Sequence, residues 1–227
     1  MAISTPVNKR TMKHHLDYHG WKYVLLVVLA VAGWSLIYTM TRPIAPADKR
    51  IDIYIQSETA MEENIRAFVD PLWQEVVPEM EEVNTATLLV SDEYNASMQM
   101  MVHIGAVDGD IYLMDEEYFK RFARQGAFVP LEGLIESGKL NVDGIDLEKG
   151  YQDNVLEYDE NDVPKVIENH LYGIPLESLY GFMTEMQVDN RKLYAVIANG
   201  NGNEANVELF FDAMIQKGRG EKPDWLQ

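Results

Sequence analysis

The feature that most constrains this chain is an uncharged run of 19 residues, Tyr23–Thr41 (YVLLVVLAVAGWSLIYTMT), bounded by Lys22 and Arg42. A helix rises about 1.5 Å per residue, so the run reaches about 28 Å, close to the hydrocarbon thickness of a bilayer. It has no polar face, which a helix half-buried in a soluble core would show. Trp21 and Tyr23 at one end and Tyr38 at the other suit an interfacial aromatic belt. The run therefore predicts a transmembrane helix over residues 23–41, with the lipid bilayer as its partner. Lys9, Arg10, Lys13 and Lys22 precede it, and Arg42, Lys49 and Arg50 follow. With His14 and His15 before the helix and a long acidic stretch after it, this bias predicts a cytoplasmic segment 1–22 and an extracytoplasmic C-terminal domain, a single-pass cell-membrane topology. Ala45-Pro46-Ala47 also matches a signal-peptide cleavage pattern, which would cut after Ala47. The run is longer than the ~7–15 residues of a signal core, which favours an uncut anchor.

Charge divides the chain at the same place. Residues 1–42 hold five basic residues and one acid, Asp17; the remainder holds 14 basic and 36 acidic residues, a balance of -22. So negative a domain repels phosphate backbones and anionic headgroups, so no nucleic-acid partner is expected and the domain should stand off the membrane. With no cysteine in the chain, disulfides, thiolate catalysis and cysteine-bound zinc are excluded.

Beyond a polar, proline-containing linker (42–50), strands and helices alternate. Ile51–Gln56 (IDIYIQ) alternates with period two, as a strand does. Thr59 with Glu62 reads as a capping box opening a helix to about Met80, with Pro71 and Pro78 kinking or dividing it. Thr85–Val90 reads as a strand. A helix over Tyr94–Ile104 follows, with Met98, Met101 and Val102 inward. Ile111–Met114 is a strand after the turn Asp108-Gly109-Asp110. Asp115 then caps a helix with Tyr118, Phe119, Phe122 and Ala123 on its apolar face, ended by Gly126. Residues 137–169, rich in Gly, Asp, Glu and Asn, read as a long surface excursion. Strands at Leu171–Leu176 and Leu193–Ala198 follow, then a helix from about Glu204 to Lys217 with Val207, Phe210, Phe211 and Met214 inward. Alternation at this spacing predicts an α/β fold: a parallel sheet with helices on both faces, three layers over 51–217, and a tail at 218–227.

Three segments carry a family resemblance. Asp110–Leu134 (DIYLMDEEYFKRFARQGAFVPLEGL), Leu171–Glu177 (LYGIPLE), and Leu193–Asn199 with Asn203–Ile215 resemble the family-1 extracellular solute-binding proteins of bacterial ABC importers, the maltose-binding-protein-like group. The resemblance spans most of 50–216 and implies a periplasmic-binding-protein lobe. In that family a second lobe lies between the segments matched by Ile174-Pro175 and Tyr194, and ligand closes the cleft between the lobes. Here about 17 residues separate them, so the resemblance implies that the second lobe is largely missing. Half a clamp leaves a small ligand wet, with few contacts to offset its lost freedom.

In a parallel sheet, ligands sit beyond the C-terminal ends of the strands. That rule names Gln56, Ser57, Glu58, Ser91, Asp92, Asp115 and Glu116 as ligand-binding candidates, although Ser57, Ser91, Asp92 and Asp115 serve equally as helix caps. Glu177, Ser178 and Tyr180 would lie at the former interlobe edge, or form a solvated turn. The aromatic set Tyr172, Tyr180, Phe182 and Tyr194 could stack on a sugar, but core packing or a covered surface accounts for it better. Core packing likewise accounts best for Met98, Met100 and Met101. Asp159-Glu160-Asn161-Asp162 lacks the spacing of a calcium loop. No catalytic or cofactor motif is present, and His103 and His170 read as structural, the latter preceding a strand. The expectation is a non-enzymatic, membrane-anchored, single-lobe solute-binding-like protein. It would be an accessory, docking or sensing component of an ABC importer, with carbohydrate the implied cargo. An ABC permease or a partner solute-binding protein would be its partner, and any sugar would bind weakly. The alternative is a genuine binding module whose cleft a second chain completes.

Overall fold

In a computed structural model, residues 9–41, 45–57, 60–88, 93–158, 164–200 and 202–226 are described. The chain divides into two units, Met1–Ile44 and Ala45–Gln227. The described residues of the first form one helix, α1 (Lys9–Thr41). Its stretch Gly20–Thr41 is long and apolar enough to cross a membrane, starting three residues before the expected span. Near its end the hydroxyls of Thr39 and Thr41 donate to the carbonyls of Ser35 and Ile37, at 2.9 and 2.7 Å. These bonds satisfy the hydroxyls within the helix itself.

The second unit is a mixed α/β fold. In chain order it contains β1 (Arg50–Gln56), α2 (Glu62–Val76), β2 (Glu82–Leu88), α3 (Glu93–Gly105), β3 (Ile111–Asp115), α4 (Glu116–Ala123), α5 (Glu132–Glu136), β4 (Tyr151–Tyr158), β5 (Pro164–Leu171), β6 (Gly173–Pro175), α6 (Tyr180–Thr184), β7 (Leu193–Ile197) and α7 (Glu204–Lys217). Five strands form one sheet in the order β2-β1-β3-β7-β6. The period-two alternation of the strands separates its two faces. Ile51, Ile53 and Ile55 of β1, Ile111 and Leu113 of β3, and Ala195 and Ile197 of β7 join Ile65, Phe68 and Val69 of α2 and Phe210, Phe211 and Met214 of α7 in one core. Tyr112 and Met114 of β3 and Tyr194 and Val196 of β7 join Met100 of α3 and Tyr118, Phe119 and Phe122 of α4 in the other. Three layers result.

Several expectations need correction. The sheet is not wholly parallel: β1 runs parallel to β2 and β3, but β7 is antiparallel to both β3 and β6. The short β6–β7 connection has no crossover helix long enough to return the chain for a parallel pairing. The excursion at 137–169 is also structured. Leu140, Val142, Ile145 and Leu147 pack against the core, and β4 and β5 form an antiparallel hairpin. Among its described side chains Asp153, Lys165, Glu168 and Asn169 are exposed alongside Tyr151 and Ile167, so no alternation marks it, and His170 lies inside β5, not before it.

The α2 helix starts at Glu62 behind Met61, which makes no side-chain cap; Thr59 lies outside the described residues. Instead Ser57 Oγ accepts the Ala60 N–H at 3.1 Å and fixes the approach to the helix. The helix ends at Val76, so Pro71 lies inside it and Pro78 beyond it. In α3 the inward methionine is Met100, whereas Met98, Met101 and Val102 are 45%, 40% and 61% exposed. The inward face runs through buried Met100 and half-buried His103 and Ile104, with the His103 ring 4.4 Å from that of Tyr54. At the start of the expected tail, Gly218 accepts the Gly181 N–H at 2.8 Å and Arg219 donates to the Asn141 carbonyl at 2.8 Å.

The end of α3 holds a local conflict. Asp108 N–H donates to His103 O and Val107 N–H to Ile104 O, the paired bonds of a Schellman closure. The left-handed position falls on Val107, at φ 53°, where a β-branched side chain is strained. Val107→Gly is expected to stabilise the fold by about 1 kcal/mol, read as a raised melting temperature.

Candidate functional site

Because β7 runs opposite to its neighbours, its first residue shares an edge with the last residues of β1, β3 and β6. Asp115 is in register with Leu193, and Tyr194 with Pro175. Gln56 and Asp115 meet on this edge. Gln56 Nε2 donates to Asp115 Oδ2 at 2.7 Å, and the Asp115 N–H donates to Gln56 Oε1 at 2.8 Å. Asp115 Oδ1 accepts the N–H groups of Glu117 and Tyr118, each at 3.1 Å, and so caps α4. Both side chains are thus committed to structure, and Ser57 to the turn before α2. Glu58, Ser91, Asp92 and the acidic run 159–162 lie outside the described residues.

Beside this pair the edge opens into a depression of about 250 Å³, lined by Glu116, Lys149, Pro175, Glu177, Arg191, Lys192, Leu193 and Tyr194. Two expected residues, Glu116 and Glu177, are brought together there. Ser178 is exposed and Tyr180 opens α6, and neither belongs to the lining. Of the aromatic set, Tyr172 and Phe182 are core, as expected. Tyr194 is only 4% exposed, yet it forms part of the lining, its ring stacked on Phe119 at 4.5 Å. Burial pushes the Tyr194 phenol up, and the nearby Glu116 charge adds to this. It therefore stays neutral, a flat hydrogen-bonding floor.

The rim is a set of charged pairs. Lys149 Nζ donates to Glu177 Oε2 at 3.0 Å, which raises the Lys149 ammonium. Lys120 bonds Glu116 and holds that carboxyl below its ordinary value. Arg191 forks onto Asp189, through Nε to Oδ1 at 2.8 Å and through Nη2 to Oδ2, and lowers the Asp189 carboxyl. Such exposed pairs add little stability, and a polar ligand can exchange with them. The turn carrying Arg191 and Lys192 is held by Asn190, fully buried, whose Nδ2 donates to the carbonyls of Leu176 and Leu179 at 2.6 and 2.9 Å. Lys149, Arg191 and Lys192 escaped the sequence reading, since charged residues in irregular stretches give no periodic signal.

Elsewhere, His103 Nδ1 meets Asp108 Oδ2 at 3.1 Å, a contact that anchors the end of α3. Among the described residues no group of three or more His, Cys, Asp or Glu side chains is arranged to hold a metal ion.

No protein-family model matches the chain, and no curated protein sequence matches it. Among solved structures, it is similar to an extracellular solute-binding protein family 1 from Alicyclobacillus acidocaldarius, at 19% identity and a TM-score of 0.41 over 58% of this chain and 29% of that one. It is also similar to an ABC substrate-binding protein from Listeria monocytogenes in complex with cycloalternan, at 19% identity and a TM-score of 0.36 over 55% and 28%. A third is an N-glycan transport solute binding protein from Streptococcus pneumoniae in complex with Man5GlcNAc, at 18% identity and a TM-score of 0.36 over 56% and 24%. The chain matches less than a third of the length of each. The fold defined by the chain's own geometry is a mixed α/β one whose sheet contains parallel strands.

Proposed function

We propose that this chain is a membrane-tethered, single-lobe, solute-binding-like protein serving an ABC import system, with carbohydrate the favoured cargo. Its role is to dock or sense a partner, a permease or a second solute-binding protein, and not to carry solute alone. The observation that supports this reading best is the depression itself. It is open and small, with Lys149 paired to Glu177, Glu116 to Lys120 and Arg191 to Asp189 around its rim, and it is floored by one neutral tyrosine. Such a surface offers a polar ligand exchangeable hydrogen bonds on one side only, which limits affinity. The strands of the three segments that resemble the family, β3, β6 and β7, are also neighbours in the sheet, and Pro175, Leu193 and Tyr194 of β6 and β7 line the depression.

Calorimetry of the full chain in detergent against a panel of oligosaccharides tests the reading. Dissociation constants of about 0.1 mM or weaker are expected for the monomer. Micromolar binding by a monomer, with light scattering excluding a dimer, overturns it. Micromolar binding by a dimer shifts the reading to a cleft completed by two chains.

The tether is α1, with residues 45–227 outside the cell. Alkaline extraction is expected to leave the chain in the membrane pellet. Leu26→Arg with Leu29→Arg adds about 2.5–3.5 kcal/mol per residue to insertion and is expected to release it. A soluble unmutated chain refutes the tether.

A further inference from the structure

Charge around the depression runs against that of the rest of the chain. Beyond residue 42 there are 14 basic and 36 acidic residues, yet the lining holds three cations, Lys149, Arg191 and Lys192, against two carboxylates, Glu116 and Glu177. Most of these charges are answered nearby: Lys149 by Glu177, Glu116 by Lys120 and Arg191 by Asp189. Lys192 is exposed, and among the described residues none forms an ion pair or hydrogen bond with its ammonium. Its charge does reach into the depression. The Glu116 carboxyl is held below its ordinary value by Lys120 first, with Lys149 and Lys192 adding to this.

The paired cations also keep donors in reserve. A guanidinium carries five N–H donors and an ammonium three. Arg191 spends two on Asp189 and Lys149 spends one on Glu177, so each can serve a ligand without breaking its pair. Arg191 and Lys192 follow Asn190, whose buried amide bonds two carbonyls, so both stand on a turn that is fixed before a ligand arrives. The remote acids of the domain oppose an anion only weakly, because exposed charges beyond a Debye length of about 8 Å are largely screened at physiological salt.

The floor offers no stacking platform. Tyr194, the one aromatic residue of the lining, is buried and lies on Phe119. A neutral sugar ring therefore gains only hydrogen bonds that water supplies almost as well. A carboxylate on the ring gains more, since charge-assisted hydrogen bonds are about twice as strong as neutral ones.

We propose that the depression selects acidic saccharides, with Lys192 and the spare donors of Arg191 taking one sugar carboxylate. A single charge is what the site can answer, because Lys192 is the cation left over once the pairs are matched. Pro175 and Leu193 line the same depression and offer the ring an apolar edge. This specificity rests on the reading of the depression as a saccharide site.

An NMR titration of the full chain in detergent, at physiological salt, tests it with a glucuronate-containing disaccharide and its methyl ester. The two probes differ by one charge and little in shape. The acid is expected to bind about tenfold more tightly than the ester. In Lys192→Gln that preference is expected to vanish. Asp189→Asn keeps an acceptor for the Arg191 backbone N–H but releases the guanidinium charge, and is expected to tighten the acid about threefold. Equal affinities for acid and ester, or a preference that survives in Lys192→Gln, overturn the inference and leave weak saccharide binding standing. Acetate binding as tightly as the acid reveals a simple anion site and also overturns it. Binding of neither disaccharide at tens of millimolar overturns the saccharide reading itself, and the inference with it.

Discussion

Replacing Phe119 with alanine is expected to lower the unfolding free energy by about 3–5 kcal/mol. The ring is fully buried in the second core, stacked on Tyr194 at 4.5 Å and 6.3 Å from Phe128. It also touches the backbone of β6, since a Cβ built at Gly173 would meet the ring at 2.7 Å. Tyr194, Phe128 and the β6 backbone close on it, and a close-packed interior relaxes only partly around the cavity left by truncation. At about 2–4 °C per kcal/mol for a unit of this size, the melting temperature should drop by roughly 6–20 °C. Phe119→Leu, which keeps most of the volume, should cost under about 1.5 kcal/mol. A loss below about 1 kcal/mol for the alanine variant, from urea denaturation, contradicts this packing.

Gly150→Ala is the second large effect. A Cβ at this position would stand 2.1 Å from the Gly173 carbonyl oxygen and 2.7 Å from Leu171 Cδ1. The first of these is backbone against backbone, which no rotamer change relieves. Separating them strains the bond from the Tyr172 N–H to the Gly150 carbonyl, 3.1 Å long, which joins the hairpin root to the chain entering β6. The expected cost is at or above the ~3 kcal/mol upper range of overpacking. Lys149 would be displaced with it, so its ion pair with Glu177 should be lost, visible as altered lysine titration by NMR. A variant as stable as wild type refutes the close approach.

The readable parts of the sequence were those with strong periodicity or a capping residue. Ile51–Gln56, Ile111–Met114 and Leu193–Ala198 alternate or run apolar because both sheet faces are covered, and all three emerged as strands, each with its bounds within a residue. Asp115, followed by Glu116 and Glu117, announced the start of α4, and the inward stripe of α7 was read correctly. What failed lacked a local signature. Among the described side chains of the β4–β5 hairpin, polar Asp153, Lys165, Glu168 and Asn169 and apolar Tyr151 and Ile167 are alike exposed, so nothing in its pattern separates it from a loop. The direction of β7 depends on tertiary placement between β3 and β6, which no residue of LYAVI encodes. In α3 the inward face carries Met100 and His103, whose ring lies 4.4 Å from that of Tyr54, and not Met98 and Met101. Of the residues lining the depression, the strand-end rule named Glu116 and the interlobe-edge reading named Glu177, and neither gave a means of finding Lys149, Arg191 or Lys192.

The insertion of β7 between β3 and β6 bears on how the chain is made. One hydrogen-bonding edge of β3, a strand of four fully buried apolar residues, is covered only by β7. During synthesis β3 therefore emerges with that edge bare, and it stays bare while α4, α5, the hairpin and β6 are produced. An unpaired apolar strand is a template for mispairing with another nascent copy. The later β7 must thread a position already flanked on one side, a non-local closure that slows folding. Assembly of this unit is thus bound to wait for its last strand.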